Sequence, residues 1–227
     1  MKIKRKTVII LALSLLLLSS TVFTVLAEKR APPYANAKTY ALPLRSGYAS
    51  ADADVIAKPG YGRARLLAVA HVLGGMEGEA YASSYVEFNA DPLPGNSPTL
   101  SWAPRIYAET YFHIKGAIID VGGAQDHRLI ISCNVYYYES GHWGFYGCIA
   151  RSFRNPGDYN SGHVLGKCFD VYDMDIEEFT VTAKCSAVAA ASCRQGPCPE
   201  LYGAVDFYSE GYPYKYIYVP YLELWLC

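Results

Sequence analysis

Four groups of side chains in this 227-residue sequence have types and spacings that could do chemistry. The densest acids are Asp170, Asp173, Asp175, Glu177 and Glu178. Asp173, Asp175 and Glu177 alternate along the chain, so their carboxylates could converge on calcium, which takes roughly six to eight oxygen ligands. The segment lacks the glycine and the ligand spacing of an EF-hand loop, and the plainer reading is a solvated acidic hairpin tip. Calcium is the one cofactor the sequence admits.

Two tyrosine pairs form the second group. Tyr107 and Tyr111 share one face of a predicted strand, and Tyr136 and Tyr138 share the outward face of another. Were those strands neighbours, the four rings would make one aromatic platform, able to stack on sugars or anchor a protein partner. The competing expectation is that they pack at edges, because Tyr is of intermediate burial in general.

The third group is Glu109 with His113, which lie on the same predicted face as Tyr107 and Tyr111. A solvated strand face explains that pair without catalysis, since no nucleophile or orienting group accompanies it. The five histidines are scattered, and the sequence has no Gly-x-Ser-x-Gly elbow, His-Glu-x-x-His motif or phosphate loop. No catalytic residue is assigned.

Seven cysteines make up the fourth group: Cys133, Cys148, Cys168, Cys185, Cys193, Cys198 and Cys227. No Cys-x-x-Cys pair exists, which argues against zinc. Folding the chain about Ser140-Gly141 sets Cys133 opposite Cys148, at a Cα separation a disulfide accepts. Cys168 and Cys185 are likewise symmetric about Ile176-Glu177, and Cys193 and Cys198 bracket a turn sequence, Arg194 to Pro197. This predicts three bridges and leaves Cys227 unpaired or intermolecular.

The elements that must position these groups read as strands. Arg105–Lys115 alternates Ile106, Ala108, Thr110, Phe112 and Ile114 against Arg105, Tyr107, Glu109, Tyr111, His113 and Lys115. Period-two alternation over this length means a strand with one buried face. Similar inward sets are Leu129, Ile131, Cys133, Val135 and Tyr137, then Phe179, Val181, Ala183, Cys185 and Ala187. Near the end, Leu222, Leu224 and Leu226 alternate with Tyr221, Glu223 and Trp225. The Ala-rich 183–191 run is assigned to strand because Phe179-Thr180-Val181-Thr182 leads into it. No long segment has helical periodicity with caps. The expected fold is all-β: a single-domain antiparallel β-sandwich or jelly roll, disulfide-stapled, of roughly eight to ten strands.

Upstream, residues 1–27 read as a secretory signal peptide. Lys2, Lys4, Arg5 and Lys6 precede an uncharged apolar run, and Val25-Leu26-Ala27 makes a cleavage site. Retention as an anchor is the alternative, since Val8 to Ala27 has about the length of a membrane span. Residues 28–60, punctuated by Pro32, Pro33, Pro43 and Pro59, read as an extended lead-in, with the sandwich at 61–227. Four of the 20 basic residues lie in the leader, so the remaining chain has 16 basic against 21 acidic residues, a net charge of −5. That balance argues against nucleic acid as a partner.

The sequence therefore reads as a secreted or cell-surface protein, non-enzymatic, acting in binding or assembly. Its partner would be a second copy or another surface protein, met by the lead-in added to a sheet edge or by Cys227 and the terminal apolar row. The alternatives are a lectin-like carbohydrate-binding module, with or without calcium, and a secreted hydrolase whose site is not recognisable.

Overall fold

The computed structural model describes residues 28–30, 34–45, 47–58, 61–94, 105–171, 176–195, 198–208 and 214–226. The leader lies outside the described residues, as do Cys227, Asp173 and Asp175. Alternation is what makes the elements. Along Arg105–Val121 every second side chain from Ile106 to Ile114 is buried, and the residues between them are half-buried on the other face. An extended chain puts successive side chains on opposite faces, so this pattern can bury its apolar set only as a strand.

Fourteen strands are described. They run β1 (Glu28–Arg30), β2 (Tyr34–Arg45), β3 (Gly47–Lys58), β4 (Tyr61–Val72), β5 (Gly78–Asn89), β6 (Leu93–Pro94) and β7 (Arg105–Val121). They continue with β8 (Asp126–Glu139), β9 (His142–Phe153), β10 (Gly157–Asp170), β11 (Glu178–Cys193), β12 (Leu201–Phe207), β13 (Tyr216–Val219) and β14 (Leu222–Leu226). All pairings are antiparallel, and they build two sheets that pack face to face as a β-sandwich.

The eight-stranded sheet positions the site. Strand β10 pairs along one side of β7. On the other side three short strands lie end to end: β14 against 106–110, β13 against 113–115 and β12 against 117–121. Strand β4 then pairs with β12 and β13, β3 with β4, and β1 with β14. The six-stranded sheet runs β2-β5-β11-β8-β9, with β6 against one end of β11. Segment 28–60 thus consists largely of strands paired within its own chain, β2 on β5 and β3 on β4. The interior lane split into three pieces, together with these strands, raises the count above the eight to ten expected from the sequence.

Between the sheets lies one core. Ile106, Phe112 and Ile114 of β7 and Leu129, Ile131 and Val135 of β8 are buried. So are Phe207 and the small residues Ala68, Ala70, Ala183 and Ala187. Small side chains beside large ones let two faces interdigitate at crystal-like density. Leu222 and Leu224 are also buried, so this part of the terminal apolar row is core rather than an exposed interface.

Two of the three expected disulfides are corrected by register. The β8–β9 hairpin pairs Tyr136 with Phe145 but Val135 with Gly147, so Tyr146 is an extra residue on β9. A bulge of one residue reverses the faces beyond it. Cys133 therefore pairs with Ile149 and points into the core, while Cys148 points outward, and both are free thiols. Cys168 and Cys185 are not bridged to each other either, because Cys168 stands on the outward face of β10, opposite Tyr107, while Cys185 faces the core from the other sheet. Cys185 is a buried free thiol on the inner face, whereas Cys168 is exposed and takes part in a disulfide. Cys193 and Cys198 are bridged as expected, with Cα atoms 6.1 Å apart.

Candidate functional site

The outward face of β7 carries Tyr107, Glu109, Tyr111, His113 and Lys115 in sequence, all half-buried. The short strands beside it add their own outward aromatics in register. Trp225 lies against Tyr107 with ring centroids 4.4 Å apart. Tyr221 stacks on Tyr111 at 6.5 Å and Tyr216 on His113 at 6.0 Å, with interplanar angles of 21° and 25°. Offset, near-parallel rings at such separations are the favourable geometry for aromatic pairs. The row from Tyr107 to His113 covers six residue steps, about 20 Å of strand.

On the far side, β10 makes room for the rings. Gly166 is the register partner of Glu109, and Gly162 is that of His113. A Cβ at Gly162 would collide with the Tyr111 hydroxyl, and one at Gly166 with the Tyr107 hydroxyl. The tyrosines thus lie over a strand that offers backbone instead of side chain at these two points.

Glu109 ties one end of the row together. Its carboxylate accepts a hydrogen bond from Tyr107 at 2.9 Å and one from Tyr221 at 3.1 Å, on different oxygens. Burial and the adjoining Glu109 carboxylate push both phenols up to about 12, so each remains a donor at neutral pH. Tyr221 is itself held from the core side, where the buried Thr110 hydroxyl donates to its carbonyl at 2.9 Å. One strand therefore fixes the row from both of its faces.

At the other end the face opens into a cleft. Arg63 of β4, Tyr111 and His113 of β7, Tyr216 and Tyr218 of β13, and Tyr214 line a cavity of about 610 Å³. This volume falls within the ordinary range for small-ligand sites, roughly 300–1,000 Å³. Tyr214 is 59% exposed and stands at its rim. The Arg63 guanidinium lies 5.1 Å over the Tyr216 ring, within cation–π range. His113 shares a hydrogen bond of 3.1 Å with the Asn160 side chain, which holds the imidazole against β10.

Tyr136 and Tyr138 stand elsewhere. They lie on β8, in the six-stranded sheet, so the four tyrosines do not form one platform. Tyr136 packs against Phe145 at 5.6 Å and Tyr138 against Trp143 at 5.2 Å, at the β8–β9 hairpin. The polar groups there are satisfied among themselves. Lys184 donates to the Tyr136 hydroxyl at 2.6 Å and pairs with Glu87 at 3.6 Å, and Tyr85 donates to Glu87. Burial raises the Tyr85 phenol, with the Glu87 carboxylate adding to the effect. A network closed on itself leaves little to offer a ligand.

The remaining candidates are not brought together among the described residues. Of the three expected calcium ligands, only Glu177 lies among the described residues. Its backbone N–H donates to the Tyr138 carbonyl at 2.9 Å and its side chain is exposed. Among the described residues, no group of three or more His, Cys, Asp or Glu side chains could hold a metal ion. Glu109 and His113 do share a face, but four strand positions separate them by about 13 Å, too far to act on one proton. Glu109 has both oxygens occupied by phenols, which suits a structural carboxylate better than a nucleophile.

Sequence reading found Tyr107 and Tyr111 and missed the partners that make the cleft. Arg63 carried no signal in the sequence that set it apart from the other basic residues. Tyr214, Tyr216 and Tyr218 recur at every second position, the period of one strand face, and that was the available signal. The glycines at 162 and 166 also share a face by the same rule, but nothing local tells which strand lies beside them.

No family model matches the chain, and no curated protein matches it. Among solved structures, similarity is found to the family 11 carbohydrate-binding module of the cellulosomal cellulase Lic26A-Cel5E of Clostridium thermocellum. That match has 10% identity over 86% of this chain and 95% of the module, with a TM-score of 0.25. The family 11 module from Clostridium thermocellum in complex with a β-1,3-1,4-mixed-linked tetrasaccharide has 9% identity over 86% of this chain and 96% of that one, with a TM-score of 0.27. The mannan-recognising module TmCBM27 has 7% identity over 86% of this chain and 99% of that one, with a TM-score of 0.27. Likenesses this remote carry no argument about what this chain does.

Proposed function

We propose that this chain is a non-catalytic, exported binding protein that takes a carbohydrate chain on the outward face of its eight-stranded sheet. The observation that carries the reading is the cleft lined by Tyr111, His113, Tyr214, Tyr216, Tyr218 and Arg63. A sugar ring has an apolar C–H face and a rim of hydroxyls. Tyrosine matches both, with a flat ring and a hydroxyl that can donate or accept. The row running on to Tyr107 and Trp225 would extend contact along a chain of sugars. Assembly through the terminal strand is the weaker reading, because Leu222 and Leu224 are already spent in the core.

Affinity electrophoresis and calorimetry of the purified chain against a panel of soluble polysaccharides test this. At least one should bind, and Tyr111→Ala or Tyr216→Ala should each weaken it by about tenfold or more, the scale of one lost aromatic contact. If no polysaccharide binds, or if both variants bind like the wild type, the reading fails.

A further inference from the structure

Among the charged groups around the cleft, cations outnumber available anions. Arg63 lines the cavity, and its Nε is buried with no hydrogen-bond partner. No carboxylate among the described residues forms an ion pair with it. Of the nearby acids, Asp54 pairs with Arg65 and also feels the Arg63 charge, Asp206 pairs with Lys215 at 2.5 Å, and Asp158 stands exposed on β10 opposite Ala117. Lys115 stands on the same face, in register with Tyr216 on one side and Asn160 on the other. His113 lines the wall between. The acids Glu109 and Glu223, directly opposite each other, lie at the other end of the row, where phenols bind Glu109. The cations of this face that pair with no carboxylate among the described residues, Arg63 and Lys115, therefore lie toward β13, while the opposed Glu109 and Glu223 lie toward β14.

A half-buried guanidinium with an unsatisfied donor is costly to leave unmatched, because a polar group removed from water loses its hydration. Its planar fork fits a carboxylate or sulfate bidentately. Stacking on Tyr216 holds it in place, so little freedom remains to be lost when an anion arrives. The rest of the surface works against indiscriminate attraction, since residues 28–227 carry a net charge of −5. The attraction for an anion is local to the cleft.

We infer that the cleft selects an acidic saccharide, with the anionic substituent on Arg63, supported by Lys115, and the sugar ring against Tyr111 and Tyr216. This rests on the carbohydrate reading and narrows it to one class. The same chemistry could be supplied by a uronate or by a sulfated sugar.

Calorimetry of the full purified chain separates these cases with three probes: oligogalacturonate, the same oligomer methyl-esterified, and a sulfated oligosaccharide. The acidic probes should bind about ten- to a hundred-fold more tightly than the ester, the range for one lost charge-assisted contact. Whichever acidic probe binds better identifies the substituent. Arg63→Ala should remove that preference, lowering affinity for the acidic probe about ten- to a hundred-fold more than for the ester, and Arg63→Lys should restore part of it. If Arg63→Ala disturbs the fold by circular dichroism, Lys115→Ala should still reduce the preference. Equal binding of acid and ester, or a preference that survives both variants, overturns the inference and leaves the carbohydrate reading standing. Binding of neutral polysaccharides alone has the same meaning. Absence of binding to any saccharide overturns both.

Discussion

Tyr111 and Phe112 are chain neighbours on opposite faces of β7, and truncating each should damage a different property. Phe112 is fully buried, 0% exposed, on the face of β7 turned toward the other sheet. Phe112→Ala removes a whole ring from a core that can only partly collapse, and should cost about 3–5 kcal/mol of stability. With a urea slope of roughly 2–3 kcal/mol per molar for a domain of this size, the unfolding midpoint should fall by about 1–2 M. Tyr111 is half-buried over Gly162 and beside Tyr221, with no core behind its ring. Tyr111→Ala should shift the midpoint by less than about 0.5 M, on the order of 1 kcal/mol for a partly exposed aromatic pair. Its binding should fall by tenfold or more, on the scale set out above. Urea unfolding followed by fluorescence, paired with calorimetry on any saccharide the wild type binds, reads both properties. Equal midpoint shifts in the two variants would refute the register itself, because a one-residue slip exchanges the faces. A larger midpoint shift from Tyr111→Ala would do so more strongly.

Three further outcomes follow from the same geometry. In the native protein a maleimide should label Cys148 promptly and leave Cys133 and Cys185 intact until denaturant is added; burial pushes the Cys133 thiol up to about 12 and raises that of Cys185, and rapid native labelling of either would contradict the inward register. Gly162→Ala should displace the Tyr111 hydroxyl and weaken saccharide binding with little change in the urea midpoint, and an unchanged affinity would mean the Tyr111 ring does not contact the ligand. Tyr107 and Tyr221 have phenols raised from 10.0 to about 12, so the stability they contribute is complete below pH 10 and is lost as pH rises toward about 12; Tyr107→Phe with Tyr221→Phe should flatten that part of the stability–pH curve, and an unaltered slope would sink the assignment.

What the sequence made legible, and what it hid, follows from how far each inference had to reach. Faces within a strand depend only on alternation, so the burial of Ile106, Phe112, Leu129, Val181 and Leu222 could be read from spacing alone. The β-sandwich class follows from many such faces with no helical period among them. Disulfide partners needed more. Symmetry about Ser140-Gly141 gave the hairpin's turn correctly, since Glu139 pairs with His142. The pairing then failed six residues further along β8, at Cys133, because the bulge at Tyr146 adds one residue to one strand. Tyr146 has a reason to sit there: its ring packs against Tyr137, Phe169 and Phe179, and its hydroxyl reaches the Asp170 carbonyl. That set spans both sheets and three other strands, so no local pattern announces it.

The cleft was hidden for a related reason. Its walls come from β4, β7 and β13, and the lane beside β7 is filled by three strand fragments from the C-terminal part of the chain, two of which, β12 and β13, also pair with β4. Each fragment is too short to anchor itself. β13 has four residues and β14 five, and each is held by long neighbours that the sequence places 100 or more residues earlier. Such an arrangement has a functional consequence. Tyr216, Tyr221 and Trp225 all come from the C-terminal part of the chain and stack on His113, Tyr111 and Tyr107 of β7. The rigid row on β7 supplies the stacking surface together with His113 and Lys115, Arg63 of β4 supplies the guanidinium, and the C-terminal fragments supply the remaining aromatic walls that shape the cleft.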